Sequence, residues 1–293
     1  MIQCVPNVSE GRDERLIAAL AVAVENAGAN LVDVHRDLDH HRSVFTFLGA
    51  PDVVERAALA LARETVGAVD LRRHVGVHPR LGALDVVPFV PLTGSSMEDA
   101  VVVAHRVGET LAAELALPVF FYEEAARRPH CRALPAIRAG GFEALAERLA
   151  DPMWCPDAGP GRPHPTAGAV VVGARRVLIA FNAILTTADP GVAHRIARAI
   201  RESSGGVRAV RAIGVSLTTR TLAQVAMNLI DYRRTSVSDV VARVDAEAAR
   251  VGVQVWEYEL VGCAPADAIP VVLRPRIPGL RPTQLLDPAL FAA

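Results

Sequence analysis

The spacing of apolar residues along the chain predicts two stretches of alternating strands and helices. In the first stretch, apolar positions recur at helical spacing over residues 13–26 and 51–65. Strand-like runs of apolar and β-branched residues occupy 2–6, 30–35 and 42–48, and a polar loop is expected at 7–12. The predicted order is therefore strand, helix, strand, strand, helix.

The second stretch repeats this order and adds a closing strand. Helices are predicted at 190–203, opened by Asp189 and Pro190, and at 236–250, opened by a capping box that runs from Ser236 to Asp239. Strands are predicted at 177–181, 207–217, 222–230 and 253–261. Strand, helix, strand, strand, helix, strand is the split βαβ order of ferredoxin-like folds. We therefore predict an α+β fold of two ferredoxin-like subdomains, with mixed sheets and a cleft between them.

An insertion separates the two stretches, over about 71–165. It is expected to hold a loop at 74–84, a helix from a Ser95–Glu98 box to Leu115, a strand at 119–122 and a helix at 133–149. A segment dense in Gly and Pro follows, which is typical of a linker or a binding loop. The tail, 264–293, carries six prolines, so it should form an irregular wrap or a frayed end. The expected domains are 1–176 and 177–293.

Composition excludes several classes of protein. The 293 residues are 51% hydrophobic with a net charge of −1, which argues against disorder and against nucleic-acid binding. No uncharged run exceeds 12 residues, so no membrane helix is expected, and the first residues do not resemble a signal peptide. The chain has no lysine, which excludes Schiff-base chemistry on lysine. The four cysteines lack CxxC spacing and are expected to be reduced thiols of a cytoplasmic protein.

The candidate chemistry lies in two histidine-rich loops. Five of the nine histidines fall between His35 and His78, and four of these lie in the segments 37–42 and 74–80. A histidine titrates near neutral pH and is suited to general acid–base catalysis. His74 and His78 have the spacing of a helical metal pair, although Gly76 and Pro79 argue against a helix. Solvated surface loops, with Arg42 and Arg80 in surface ion pairs, are the alternative.

Seven collinear sequence blocks resemble the formiminotransferase domain family. They are CVPNVSEGRD at 4–13, HRSVFTFLGAPDVVERAA at 41–58, HVGVHPRLGALDVVPFVP at 74–91, YEEAA at 122–126, WCPDAGP at 154–160, GARRVLIAFN at 173–182 and TLAQVAMNLIDY at 221–232. The resemblance implies transfer of a formimino group from N-formimino-L-glutamate to N5 of tetrahydrofolate, which is a co-substrate. It also implies N- and C-terminal subdomains of ferredoxin-like type, a folate site between them and a homodimer. Because the chain ends early, we expect no fused cyclodeaminase domain.

The resemblance also implies site residues. The catalytic histidine of the family falls on His78, and the folate loop falls on Gly159, Pro160, Gly161, Arg162, Pro163, His164, Pro165, Thr166, Ala167 and Gly168. From residue type, we predict that the substrates also meet Asn7, His41, Arg42, His74, Arg80 and Asn182. Arg42 and Arg80 are candidate carboxylate ligands. His74 or Asp85 is a candidate to orient His78.

Acid–base chemistry gives a role to one imidazole. Attack of N5 on the formimino carbon leaves an extra proton on N5, and the departing glutamate nitrogen needs one. A histidine with a pKa near the working pH can move both protons, without a metal. The chain departs from the family pattern at His41, Ala167, Ala183–Ile184, Val215–Ser216 and Ala226–Met227. Alternatives are a folate-binding paralogue, with a formyl donor or without catalysis, and a metal-dependent hydrolase that uses His40, His41, His74 and His78.

Overall fold

Seven strands form one mixed sheet in the first part of the chain. The computed structural model describes residues 1–291 and divides the chain into two units at Arg175–Arg176. The strands of the first unit are β1 (Ile2–Cys4), β2 (Asn7–Val8), β3 (Asn30–Asp37), β4 (Arg42–Gly49), β5 (Leu84–Pro91), β6 (Val119–Glu123) and β7 (Val170–Ala174). Across the sheet the order is β3, β4, then β1 and β2 end to end, then β5, β7 and β6. Pairs from β3 to β5 are antiparallel, and β5, β7 and β6 are parallel.

Three long helices bury an apolar stripe against this sheet. They are α1 (Glu14–Asn26), α2 (Pro51–Ala68) and α3 (Met97–Leu115). Asp13 accepts hydrogen bonds from the first backbone amides of α1, and Ser96 and Asp99 form a capping box on α3. The capping box begins one residue later than the sequence predicted. The core that these helices share with the strands contains Phe45, Phe47 and Phe89, which are fully buried.

Two predictions for the first unit are wrong. The helix predicted at 133–149 is two short helices, α4 (Leu134–Ile137) and α5 (Leu145–Leu149). Between them Gly140 and Gly141 have φ angles of +80° and +64°, and this left-handed backbone cannot continue an α-helix. The predicted polar loop 7–12 begins with strand β2, which Asn7 and Val8 form with both β4 and β5.

The second unit contains all six predicted elements. They are β8 (Ile179–Leu185), α6 (Pro190–Ile200), β9 (Val210–Leu217), β10 (Leu222–Leu229), α7 (Val237–Arg250) and β11 (Val255–Val261). The sheet order is β11, β8, β10, β9, with every pair antiparallel. The predicted Ser236–Asp239 capping box on α7 is confirmed. The α+β class is therefore confirmed for both units.

The proline-rich tail is an irregular wrap on the second unit. It consists of short turns and one pair of two-residue strands, 264–265 with 285–286. Ile269 and Ile277 are buried in the core of this unit, which anchors the wrap. Within residues 1–291, no helix combines the length and the apolar character that crossing a membrane requires.

Candidate functional site

Four loops of the first unit meet at one end of its sheet. β4, β5 and β7 point in one direction, and β2 and β3 point in the other. The segments that follow β2 and β3 therefore lie beside the segments that lead into β4, β5 and β7. This topology brings together Asn7–Glu10, the loop 38–41, the segment 74–83 and the loop 159–168. Every candidate residue of the first unit lies in these segments or next to them.

His78 is half-buried and both of its ring nitrogens are engaged. Nδ1 lies 2.7 Å from the carbonyl oxygen of Pro79, and because a carbonyl only accepts, Nδ1 carries the proton. Nε2 then presents its lone pair to Arg42 Nη1, at 2.6 Å. The ring is therefore neutral, with its basic nitrogen held against a guanidinium.

The surroundings of His78 oppose its protonation. Burial lowers the pKa of His78 well below its usual value of 6.5, and the positive charges of Arg42, Arg138 and His40 lower it further. The bond to the Pro79 carbonyl acts in the opposite direction but is outweighed. At neutral pH the ring of His78 is therefore unprotonated, which is the state from which an imidazole can accept a proton.

Asp85 holds the segment that carries His78. Its side chain is 1% exposed and accepts hydrogen bonds from the backbone amides of Leu81 (2.7 Å) and Gly82 (3.3 Å). Its second oxygen pairs with Arg138. Neither Asp85 nor His74 hydrogen-bonds to His78 within residues 1–291, so the prediction that one of them directly orients its ring is wrong. Asp85 instead holds the backbone at Leu81 and Gly82 and pairs with Arg138.

His41 links three of the loops. Its Nε2 lies 3.1 Å from Glu10 Oε1 and its Nδ1 lies 3.1 Å from the Val75 carbonyl. Burial alone would raise the pKa of Glu10, but hydrogen bonds from the His41 ring and from the amides of Asp13 and Arg12 lower it to about 2. His41 therefore ties its own loop to the segments that carry Glu10 and Val75.

His74 stacks on His41 with 4.1 Å between ring centroids. Its Nε2 donates to the His41 carbonyl at 2.8 Å, and its Nδ1 is buried without a hydrogen-bond partner among the described residues. Burial lowers the pKa of His74. Arg80 forms a two-bond ion pair with Glu143 (2.8 and 3.2 Å) and also donates to the His74 carbonyl. The predicted residues His41, His74 and Arg80 are thus close neighbours.

An open groove of about 550 Å³ lies beside this cluster. His74, Arg80 and Glu143 supply its polar wall, and Leu71, Phe142, Pro163 and Pro165 supply an apolar one. The groove therefore combines flat apolar surface with a few polar groups, which is the usual character of a small-molecule site.

The loop 159–168 contributes one edge of the groove. His164 Nδ1 accepts hydrogen bonds from the amides of Ala167 (3.0 Å) and Thr166 (3.4 Å), and the backbones of His164 and Gly168 pair with each other. Gly159 and Gly168 both have positive φ, and a Cβ at Gly168 would lie 2.3 Å from the Leu81 carbonyl. Ala167 is 1% exposed and packs in the core, so its side chain supports the loop and does not face the groove.

The remaining candidates are Asn7 and Asn182. Asn7 is half-buried in β2, where its side-chain amide donates to the Val5 carbonyl at 3.0 Å. Asn182 lies in the second unit on β8, and its amide donates to Glu259 Oε2 at 2.8 Å, with Gln224 as a further neighbour of the same oxygen. Met227, one of the departures from the family pattern, is buried in the core of that unit, so this departure concerns packing.

Two sequence comparisons decide which family the chain belongs to. Residues 1–175 match the formiminotransferase domain, N-terminal subdomain, and residues 180–273 match the formiminotransferase domain. The chain belongs to the formiminotransferase domain family.

The relatives of this formiminotransferase-domain chain include single-activity and fused proteins. It is 40% identical over 270 residues to the glutamate formimidoyltransferase of Streptococcus pyogenes serotype M1, covering 92% of this chain and 90% of the relative. It is 39% identical over 272 residues to that of Thermoplasma acidophilum, covering 92% and 89%. It is 42% identical over 277 residues to the formimidoyltransferase-cyclodeaminase of Rattus norvegicus, of which it spans about half (51%).

Sequence reasoning missed one pair of residues in this formiminotransferase-domain site. Asp37 and His40 were read only as loop residues or candidate metal ligands, yet His40 is 5% exposed and its ring lies next to that of His78, with 5.8 Å between centroids. Within residues 1–291, no group of three or more His, Cys, Asp or Glu side chains is arranged to hold a metal ion. The sequence signal that could have found this pair is an Asp three residues before a His at the end of a strand.

Proposed function

We propose that this chain is a glutamate formimidoyltransferase. It moves the formimino group of N-formimino-L-glutamate to N5 of tetrahydrofolate and releases glutamate and 5-formiminotetrahydrofolate. The observation that carries this proposal is the 40% identity, over nine-tenths of both chains, to a relative of that name.

His78 is the proposed general base. N5 of the folate attacks the carbon of the protonated formimino group, and the electron pair of the carbon–nitrogen double bond moves to the imino nitrogen, which leaves a neutral amine on a tetrahedral carbon. The proton on N5 passes to His78 Nε2, and the same nitrogen returns it to the glutamate nitrogen. The old carbon–nitrogen bond then breaks, glutamate leaves as the amine, and the lone pair of the imino nitrogen forms the double bond again. The lowered pKa of His78 supports this role, because the ring is unprotonated before the reaction begins.

Arg42 has to release its hydrogen bond to His78 Nε2 before that nitrogen can accept the proton. A lone pair that accepts from a guanidinium at 2.6 Å is not available to a substrate proton. The donor carries two carboxylates, and a carboxylate is a far better partner for arginine than a neutral imidazole. Binding of the donor at Arg42 would therefore free Nε2 at the moment the substrate arrives.

The groove beside His74 and Arg80 is the proposed site for tetrahydrofolate. The flat apolar wall of Phe142, Pro163 and Pro165 suits an aromatic ring system, and Arg80 offers a charge for a carboxylate. We further propose that the two units, taken as 1–176 and 177–293, are ferredoxin-like subdomains of the family. The homodimer and the cytoplasmic location stay predictions from the resemblance.

The test is turnover by the purified protein. Mixed with tetrahydrofolate and N-formimino-L-glutamate, it should release one glutamate for each folate modified, with the product identified by mass spectrometry. N-formylglutamate serves in a parallel reaction. Turnover of the formyl donor alone would assign the divergent-paralogue function, and folate binding without turnover of either donor would contradict the transferase proposal.

A further inference from the structure

Asp37 and His40 form a buried pair that no part of the proposed mechanism uses. His40 Nδ1 lies 2.8 Å from Asp37 Oδ2, and the His40 backbone amide donates to Asp37 Oδ1 at 2.7 Å. Burial alone would raise the pKa of Asp37, but the bonds and charge of His40 lower it to about 2. The carboxylate is therefore ionised at every working pH, and it accepts one hydrogen bond from the His40 ring and one from the His40 backbone amide.

His40 meets His78 edge to face. The ring planes are inclined by 66° and the centroids are 5.8 Å apart. This is the range in which aromatic rings pack edge-on. Asp37 fixes the imidazole of His40, and the His40 ring packs on the imidazole of His78, the proposed base. Both rings lie at the loop end of the sheet and not in its apolar core.

Backbone contacts fix the segment before His78 against the loop that carries His40. The amide of Val77 donates to the Asp39 carbonyl at 3.1 Å, which ties the segment before His78 to the loop of His40. A Cβ at Gly76 would lie 2.4 Å from the His40 carbonyl, so the two backbones are in direct contact there. The His40 ring is thus set at a defined position relative to the His78 ring.

We propose that Asp37 and His40 are positioning residues for His78, which fix its ring in the orientation that presents Nε2. This inference rests on the proposed function only in so far as His78 is the base. Three charged or titratable groups face His78 from the surrounding elements: Arg42 on β4, Arg138 after α4, and His40 on the loop before β4. Loss of His40 removes one of these groups and the ring contact together.

Two substitutions separate the ring from the hydrogen bond. His40→Asn retains a donor near Asp37 but loses the ring edge, and His40→Phe retains the ring but loses the donor. We expect both to lower kcat by about 10- to 100-fold with KM within about 3-fold, since a small displacement of a catalytic group has effects of this size. The acid limb of the kcat profile should move to higher pH, because one of the positive groups that oppose protonation of His78 is gone.

His105→Phe is the matched control. His105 also makes an edge-on ring contact, with 4.6 Å between its ring centroid and that of Phe121, and its Nε2 donates to the Ala125 carbonyl at 2.9 Å. We expect His105→Phe to lower the melting temperature by about as much as the His40 variants do and to leave the pH profile of kcat unchanged. Equal pH profiles for wild type and both His40 variants, at kcat within 2-fold, would overturn the inference.

A spectroscopic readout decides the matter independently of turnover. In NMR of the folded protein, the His78 ring should give a single sharp set of resonances in wild type and broadened or doubled resonances in His40→Asn, which loses the ring contact. Broadened or doubled His78 resonances in wild type would overturn the inference without any variant. If the wild type makes no product, the proposed function fails, while the order of the His78 ring still tests the positioning role.

Discussion

Replacement of Asp85 by alanine should destabilise the first unit strongly. Asp85 is 1% exposed, and its loss leaves the Arg138 guanidinium, which is 15% exposed, without its carboxylate. Removal of one partner of a buried ion pair typically costs about 3–5 kcal/mol, because the remaining charge stays desolvated. Two backbone amides, those of Leu81 and Gly82, lose their acceptor as well.

The expected effect is visible in thermal unfolding followed by circular dichroism. For a unit of this size, about 2–4 °C is lost per kcal/mol, so the melting temperature of Asp85→Ala should fall by about 6–20 °C. Asp52→Ala removes an exposed pair with Arg56, and it should change the melting temperature little. The double variant Asp85→Ala with Arg138→Met should regain part of the loss. Equal melting temperatures for Asp85→Ala and Asp52→Ala would refute the argument that this pair anchors the segment before β5.

Two further predictions concern backbone space and pH. Gly82→Ala should lower the free energy of unfolding by about 1–3 kcal/mol, since its Cβ would lie 1.9 Å from the Ala169 carbonyl. Gly161 has open space around it, so Gly161→Ala should leave the stability unchanged. Equal urea midpoints for the two variants would contradict this. Glu10 has a pKa of about 2 against a usual 4.5, so it contributes up to about 3 kcal/mol of stability, present above pH 4.5 and lost as the pH falls towards 2. The stability difference between wild type and Glu10→Gln, measured by urea unfolding, should therefore shrink over that interval, and a constant difference would contradict the assignment.

Helical periodicity and capping residues were enough to predict the long helices. The apolar stripes of α1, α2 and α7 and the cap at Ser236 are local signals, and the structure places each helix where they indicate. The predicted helix at 133–149 failed because its apolar spacing was followed across the two glycines that interrupt it. The spacing of apolar residues does not indicate the backbone φ angles of the glycines that lie between them.

Strands β5 and β7 could not be read from local pattern. Both lie inside the sheet and are buried on both faces, so they show continuous apolar runs without alternation. Pro88 also interrupts the run of β5. Since β5 and β7 carry the segments that lead from His78 and from the loop 159–168, the assembly of the site depends on the two strands that were not predicted.

The candidate site was predicted in part. Resemblance to the family singled out His78, and residue type singled out its neighbour Arg42, which the structure places at 2.6 Å. The Asp37–His40 pair was not predicted, because its relation to His78 depends on the contact of two loops that lie 36 residues apart. Contacts of this kind arise from tertiary packing and leave no periodic signal.

The central claim is that His78 carries the proton in formimino transfer. The most direct measurement compares kcat of wild type and His78→Gln at pH 7 with saturating substrates, together with the dissociation constant for tetrahydrofolate from calorimetry. We expect kcat to fall by about 10²–10⁴-fold and the dissociation constant to change by less than about 3-fold. A variant that keeps its kcat within a few-fold of wild type would contradict the role of His78.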